Sequence, residues 1–378
     1  MLEITEIQHR GELPRYEQEW QGLLEESGNK TVFLTHPWLS AWLDHFWADK
    51  PVLFLLARSE GKLVGVAPFL VNEEENCLSL PANRWAAHSD VACNANKEDV
   101  LQAMVGHLKT RFRRLRLKLG RIAASSDLCL VLPHVLERHR LIHIRTGSYG
   151  SPYLRIDRSW SEFLESKPRH FRSELKRKSK GIEKAGRVEF VKHTQPEQCA
   201  AAMQGVLHIE RNSWKEQNGT SFTAVPGLKE FYSDLAVRCA RAGVLCIYTL
   251  RFESEPIAHV YGILHGRTYY ALKTSYCESH KHLSPGVVLF NHCLRDAFDS
   301  GLTEFDFLGD ESRWKNELAS EVRPYVRMTV CPRTLLSRLR QCLEHRVKPY
   351  MKTRLPLIVK AKRRLEGLGV GGLRDSTS

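Results

Sequence analysis

Hydrophobic and polar positions along this chain fall into short runs of alternating helical and strand period. The opening residues read as a polar helical stretch. The aromatic block Phe33–Trp47 follows, in which Trp38, Trp42 and Phe46 recur at helical spacing. Two strand-type apolar runs, Val52–Arg58 and Lys62–Val71, are joined at Glu60-Gly61 and predict a hairpin. Pro81–Asp90 has loop character and Glu98–Arg111 predicts a helix. A basic strand is expected at Leu115–Leu119, before the apolar run Leu128–Leu132. Gly147–Ser151 reads as a loop and Tyr153–Ile156 as a new strand.

In the second half, Ser159–Gly186 predicts a helix redirected at Lys167-Pro168 and stopped by Gly186 as a left-handed C-terminal cap. After the strand Val188–His193, Thr194-Gln-Pro-Glu197 has the capping-box pattern and opens a long helix that Asn218-Gly219 ends. A helix at Gly227–Ala242 leads into strands at Val244–Arg251, Ile257–Leu264 and Thr268–Ser275. Ser284-Pro-Gly286 then opens a helix with Phe290 and Leu294 on its buried face and Gly301 at its end. The strand Glu304–Leu308, a polar loop to Lys315 and the strand Val322–Val330 complete the pattern. Strand, short turn and strand occur in both halves, the trace a duplicated α/β domain would leave.

A chain of 378 residues predicts two domains, and 42% hydrophobic with 26% charged residues excludes a mainly disordered protein. No apolar run approaches the ~20 residues of a membrane-spanning helix. The Met-Leu-Glu-Ile-Thr-Glu start has no signal-peptide character, so secretion by that route is not expected. The net charge of +13 is concentrated in two places. Lys167–Arg187 holds nine basic and two acidic residues, and Cys331 to the C-terminus holds twelve and three. The rest is slightly acidic, which argues for two local anion-seeking patches over a uniformly basic nucleic-acid binder. The ten cysteines are irregularly spaced and the 17 histidines contain no His-Glu-x-x-His. Reduced thiols in the cytoplasm and no metal site are the expectation.

The segment from Thr268 to Leu308 carries the strongest chemistry. A crossover helix between two strands brings its N-terminus at Ser284 beside the strand Thr268–Ser275. Its free amides and dipole favour an anion there, and a diphosphate suits Ser284–Val288, with Lys281 and His282 just upstream. An ordinary capped helix is the alternative.

Tyr276-Cys-Glu-Ser-His-Lys-His-Leu-Ser-Pro-Gly286, a helix, and then Gly301-Leu-Thr-Glu-Phe-Asp-Phe-Leu-Gly-Asp-Glu-Ser-Arg-Trp-Lys315 resemble the GNAT-superfamily acyltransferases of the CelD and FemAB-related type. Leu207-His208 with Trp214, and the basic helix Arg169–Lys184, are similar to upstream segments of the same family. The resemblance covers about Tyr153–Val330. It implies tandem α/β GNAT-like domains with a mixed sheet: residues 1–150, a catalytic domain at 151–330, and a basic amphipathic or flexible tail at 331–378. It also implies transfer of an acyl group from acetyl-CoA or another acyl-CoA to an amine acceptor, with no permanently bound cofactor. Leu272, Thr274 and Tyr276 would meet the pantetheine arm, and Ser284, Gly286, Val287 and Val288 the pyrophosphate. The common Arg/Gln-x-x-Gly-x-Gly/Ala loop is absent, and Arg313-Trp314 replaces the usual pair before Lys315.

Acyl transfer to an amine needs a base and a stabiliser of the developing oxyanion. His208 has a suitable unperturbed pKa. Asp306, Asp310 and Glu311 are alternative bases or amine anchors, against a purely structural role in the following turn. Lys315 would hold an acidic substrate or pair with these carboxylates. Trp214, Tyr270 and Trp314 are candidates for substrate contact, and Tyr269, Tyr270 or Tyr276 for protonating the leaving thiolate. Asn83–Asp90 is a second candidate pocket edge. The resemblance sets the enzyme in envelope or exopolysaccharide metabolism, in the cytoplasm, with its tail suited to an anionic inner-membrane surface. Two rival readings stay open: a Fem-like aminoacyltransferase using aminoacyl-tRNA, and a non-catalytic membrane-associated scaffold.

Overall fold

The computed structural model describes residues 2–334 apart from residues 30 and 95. The basic tail beyond Thr334 lies outside the described residues. In chain order the strands are β1 (Leu2–Ile7), β2 (Val52–Ser59), β3 (Lys62–Asn72), β4 (Cys77–Ser79), β5 (Ala92–Cys93), β6 (Leu117–Ala123) and β7 (Leu141–Arg155). The second half adds β8 (Val188–His193), β9 (Leu245–Phe252), β10 (Glu255–His265), β11 (Thr268–Tyr276), β12 (Glu304–Asp306) and β13 (Glu321–Pro332). All belong to one mixed sheet in the order β1-β2-β3-β4-β6-β13-β7-β12-β11-β10-β9-β8, with β5 pairing separately on β3.

From either edge the sheet follows the same plan. β1 to β4 pair antiparallel in sequence and β4 then runs parallel to β6. β8 to β11 likewise pair antiparallel in sequence, and β11 runs parallel to β12. Each parallel pair needs a crossover, supplied by helix Lys97–Arg111 in the first half and helix Pro285–Asp299 in the second. Glu60 and Gly61 both have positive φ, as a two-residue hairpin turn requires. This pairing pattern is the duplication hinted at by the paired strand–turn–strand units.

Several expectations are corrected. The chain opens with edge strand β1, and the expected polar helix follows it at Glu17–Ser27; Ile7 is buried, while the first five residues of the strand are more open. Gly147–Ser151 is no loop but part of β7, held in extended form because β13 pairs along nearly its whole length. Gly186 has φ 170°, an extended conformation, so it is no left-handed cap. Its small size matters instead: a Cβ there would sit 2.3 Å from Glu253 Oε1 and 2.8 Å from the Phe252 ring. The capping box near residue 195 is made by Gln195 and Gln198, whose Oε1 accepts from the Thr194 and Gln195 amides. The helix it precedes, Cys199–Arg211, stops short of Asn218, and a separate short helix, Trp214–Gln217, follows.

Strand β13 follows the second half in sequence but lies between β6 and β7, so the last described segment closes the first half's sheet. One core is shared by the two halves: helix His36–Phe46 packs on helix Leu228–Arg241, with Trp38 edge-on to Phe231 at 5.5 Å between ring centroids. Two further cores lie in the separate halves. No described helix is long and apolar enough to cross a membrane.

Candidate functional site

Beyond Tyr270, β11 stays paired with β10 but loses β12, which pairs with it only through Thr268–Tyr270 and ends at Asp306. β11 and β12 splay, and helix Pro285–Asp299 starts beside the gap. A cavity of about 640 Å³ opens there. Its walls are Thr274, Ser275 and Tyr276 from β11, Ser284 to Val287 with Phe290 and Asn291 from the crossover helix, and Trp314 from helix Arg313–Leu318. The basic helix Arg169–Ala185 covers it with Phe171, Glu174, Leu175 and Lys178, a single face at helical spacing. Trp214, Val287 and Trp314, three of the five most exposed large apolar side chains among the described residues, all line this cavity. Apolar surface gathered in this way marks a binding surface.

The polar groups of the cavity are few and spare. Ser284 is left-handed (φ 55°, ψ 43°) and its side chain does not cap the helix. The Ser284 amide bonds to Lys281 O at 3.0 Å, and the Val287 and Val288 amides bond to Ser284 O at 3.1 and 3.2 Å. Pro285 has no N–H, so the Gly286 amide is the one left for a ligand in this stretch. Gly286 has no side chain because Tyr276 lies against it; a Cβ would stand 3.0 Å from the Tyr276 ring. Ser275 Oγ and Asn291 Oδ1 are buried without a protein partner. Buried polar atoms are normally satisfied, so this pair is suited to a polar ligand.

On the other side of the splay lies a row of charged groups. Lys273, next to Thr274, sits 4.2 Å over the Trp85 ring of the first half, and Arg84 covers the same ring at 4.7 Å. Burial, with Lys215, Arg84 and Lys315 nearby, pushes the Lys273 ammonium down to about 7. Lys215 bonds Thr274 O at 2.5 Å and Glu210 at 3.4 Å. Glu210 also bonds His259 Nε2 at 2.9 Å and the Phe222 amide at 3.1 Å. Burial alone would raise Glu210; the His259 hydrogen bond and the Lys215 charge outweigh it and hold the carboxyl down at about 2.

Lys315, next to cavity-lining Trp314, donates to Leu308 O and Asp310 O. Burial lowers its pKa, and Asp306 and Asp310 oppose that. Asp306 is fully buried, accepting from the Leu308 amide at 2.8 Å and from Arg323 at 2.9 Å. Burial lifts its carboxyl to about 7, with the neighbouring Glu304 charge adding to the rise and Arg323, the Leu308 amide and Lys315 opposing it. Leu308 and Gly309 both have positive φ, and the Asp306 and Lys315 bonds to Leu308 hold that turn.

Of the residues singled out in the sequence, the cavity brings together Thr274, Tyr276, Ser284, Gly286, Val287, Trp214 and Trp314. Val288 points into the second half's core, and Leu272 and Tyr270 face the shared core. Leu272 is displaced by a bulge: Lys273 pairs with Tyr261 and Ala271 with Gly262, leaving Leu272 extra. Asp306 and Lys315 stand in the charged row. Asp310 and Glu311 are exposed at its mouth, with Asn316 donating to Glu311 at 3.2 Å. His208 lies away from both, on an outer flank, its ring 3.2 Å from Glu255.

Sequence reasoning missed Lys273, Glu210, His259, Arg323 and the partnerless Ser275 and Asn291. His259 and Lys273 sit in strands whose alternation marks a face but not its partner. Arg323 reaches the site from a strand that belongs to the other half's sheet. Glu210 lies between His208 and Trp214, where the sequence shows its charge but not its burial.

The first half has the same strand plan, and a pocket of about 460 Å³ lined by Ser59, Lys62, Asn94, Asn96 and Asp99 lies at the start of its crossover helix. The space between its crossover helix and β3–β6 is filled by Ala67, Phe69, Leu101, Met104, Leu117 and Leu132 and leaves about 20 Å³. Helix Lys97–Arg111 sits tight on β3; a Cβ on Gly65 would stand 2.4 Å from Val100.

Residues 169–316 match the family model described as the acetyltransferase (GNAT) domain. No curated protein matches the chain significantly. Among solved structures, FemX superposes with a TM-score of 0.57 at 11% identity, covering 87% of this chain and 98% of that one. The C-terminal domain of a putative lysylphosphatidylglycerol synthetase from Agrobacterium fabrum gives 0.54 at 10%, covering 86% and 93%. A conserved protein of unknown function from Bacteroides thetaiotaomicron gives 0.54 at 12%, covering 88% and 100%. At these identities the likeness is one of fold. The matched segment contains the basic helix, the splayed strand, the crossover helix and the Phe-Asp-Phe strand, so residues 169–316 form an acetyltransferase (GNAT)-type domain within a chain that shares the fold of FemX.

Proposed function

We propose that the protein is an N-acyltransferase that takes its acyl group from an acyl-CoA-type thioester held in the cavity at Ser284–Asn291. The observation that carries this is the cavity itself, a mostly apolar slot at a helix N-terminus with Gly286 N–H, Ser275 Oγ and Asn291 Oδ1 as its spare polar groups. The donor's diphosphate meets the Gly286 end, with Lys178 and Lys281 nearby. Its pantetheine arm runs along Thr274–Tyr276 between Trp214 and Trp314, and the thioester reaches the inner end of the splay.

The amine acceptor approaches from the side of Lys273, Lys315 and Asp306. Its nitrogen attacks the thioester carbonyl carbon, the tetrahedral intermediate collapses, and the C–S bond breaks with release of the thiolate. One proton must leave the attacking amine and one must reach the thiolate. Lys273, poised near neutrality, is the base we favour. Asp306 has a matching pKa, but both its oxygens are engaged, so it is assigned to positioning Arg323 and the turn. His208 stands outside this scheme. Tyr276 is the phenol nearest the donor and the proposed proton source for the thiolate. Eight buried free thiols from Cys77 to Cys293 agree with a reducing, cytoplasmic setting. An envelope or exopolysaccharide role rests on the sequence resemblance.

A second reading is favoured by one feature. Arg169, Arg172, Lys176, Arg177, Lys180 and Lys184 are exposed on the helix that covers the cavity. Such a row fits a polyanionic donor carrier, as in a Fem-like use of aminoacyl-tRNA. Thiol release from acetyl-CoA and longer acyl-CoAs in the presence of an amine panel separates the readings. Turnover without RNA supports the acyl-CoA donor. Turnover only with charged tRNA, falling steeply with salt, supports the second.

A further inference from the structure

We propose that His208, Glu255 and Cys277 form a binding site for one divalent metal ion of the zinc class on the outer flank of the second half. The three come from separate elements: His208 from helix Cys199–Arg211, Glu255 from the first residue of β10, and Cys277 from the position just after β11. Their ligand atoms, an imidazole nitrogen, a carboxylate oxygen and Sγ, all lie within 4.8 Å of one another. His208 Nε2 and Glu255 Oε1 are already 3.2 Å apart.

One nitrogen, one oxygen and one sulfur make a donor set that suits zinc, and three protein ligands leave a fourth tetrahedral position for water. Ligand bonds of about 2.0–2.3 Å put neighbouring ligand atoms roughly 3.5 Å apart around a tetrahedral ion, so the group needs only a modest inward rotation of its side chains. Cys277 forms the floor of the site and is fully buried, while His208 and Glu255 stand exposed above it. An ion therefore enters from solvent between the two exposed ligands. A carboxylate and the thiolate left when Cys277 gives up its proton to water balance the dication.

The backbone around the three ligands is already braced. The Cys277 amide bonds to Ile257 O at 2.8 Å, and the Glu278 amide to Asn212 O at 2.9 Å. Asn212 Nδ2 in turn bonds to His208 O at 2.9 Å. Little ordering is left to be done when the ion arrives. Bound there, it pins helix Cys199–Arg211 to the end of β11.

The test uses the full chain, stripped with chelator and titrated anaerobically with Co²⁺ and then Zn²⁺. We expect one Co²⁺ per chain with a thiolate-to-cobalt charge-transfer band and tetrahedral visible absorption, both lost on adding Zn²⁺. Cys277→Ser should abolish the charge-transfer band. His208→Gln and Glu255→Gln, at exposed positions, should each weaken Zn²⁺ by at least the ~10–100-fold that loss of even a ligand's supporting partner costs. A charge-transfer band that survives Cys277→Ser would assign the thiol elsewhere and overturn the site. If Cys277→Ser fails to fold, the other two variants decide, and unchanged Zn²⁺ affinity in both overturns the proposal. Failure to bind Co²⁺ at all overturns it too.

Discussion

Arg323, on the last described strand, places Nη1 2.9 Å from the buried Oδ2 of Asp306. Its Nη2 lies 2.8 Å from both oxygens of Glu304, and its guanidinium stacks 4.1 Å from the Tyr153 ring. One cation thus holds two carboxylates of the parallel strand at the splay. Removing it leaves buried charge without a partner, so Arg323→Gln should destabilise the protein by about 3 kcal/mol. Urea unfolding checks this; a loss within experimental error would show that the pair is dispensable.

The Asp306 carboxyl carries a pH signature. Its pKa rises from 3.8 to about 7 on folding, so between those values the native state holds a proton that the unfolded chain has released. Stability from this group is therefore complete below pH ~4 and declines as pH rises toward 7. The difference in unfolding free energy between the protein and Asp306→Asn should slope across that window and level off above it. A flat difference would mean that Asp306 stays ionised beside Arg323.

Lys273 gives the activity profile its expected shape. Its ammonium loses the proton as pH rises through about 7, so a base role predicts that kcat/KM climbs to a plateau around that pH. Lys273→Met should remove the limb and reduce kcat by about 10²–10⁴-fold, the usual worth of a positioned base. Lys273→Arg should not rescue it, because arginine keeps its proton. A limb that persists in Lys273→Met but vanishes in Asp306→Asn would move the base to the carboxylate.

Ser275 separates ligand recognition from stability. Its hydroxyl is buried with no protein partner, so Ser275→Ala should leave urea stability unchanged or raised while weakening acyl-CoA binding by about 5–10-fold, one net hydrogen bond. If affinity is unaffected, the hydroxyl does not face the donor.

The shared core predicts that the halves unfold together. Phe231 packs edge-on to Trp38 and tilted against Phe46, both from the first half. Phe231→Ala should cost about 3–5 kcal/mol and keep a single unfolding transition. Two separated transitions, one of them insensitive to the variant, would show independent halves.

Much of the second half was legible because its signals are local. The hairpins between β9, β10 and β11, the Ser284-Pro-Gly286 start and the Phe305-Asp-Phe307 alternation each fix their own geometry, and with them most of the cavity wall. What could not be read depended on distant pairing. The loop character of Gly147–Ser151 gave way to β13, which arrives about half a chain later in sequence. The resemblance places Leu272 on the donor arm, but a bulge beside it, invisible in the sequence, leaves it packed on the shared core. Trp85 was named only as part of a loop, and its place over Lys273 required both halves to be folded. His208 has the right chemistry for a base, but its helix turns it toward Glu255 and away from the splay.

Calorimetric titration with acetyl-CoA and longer acyl-CoAs, for the native chain and for Gly286→Glu, tests the central claim most directly. The glutamate would press on the Tyr276 ring and bring a negative charge to the amide proposed for the diphosphate. Saturable micromolar binding by the native chain, lost in a Gly286→Glu protein that unfolds normally in urea, is the predicted result. No binding of any acyl-CoA by the native chain, or binding undiminished by the glutamate, would contradict the donor site.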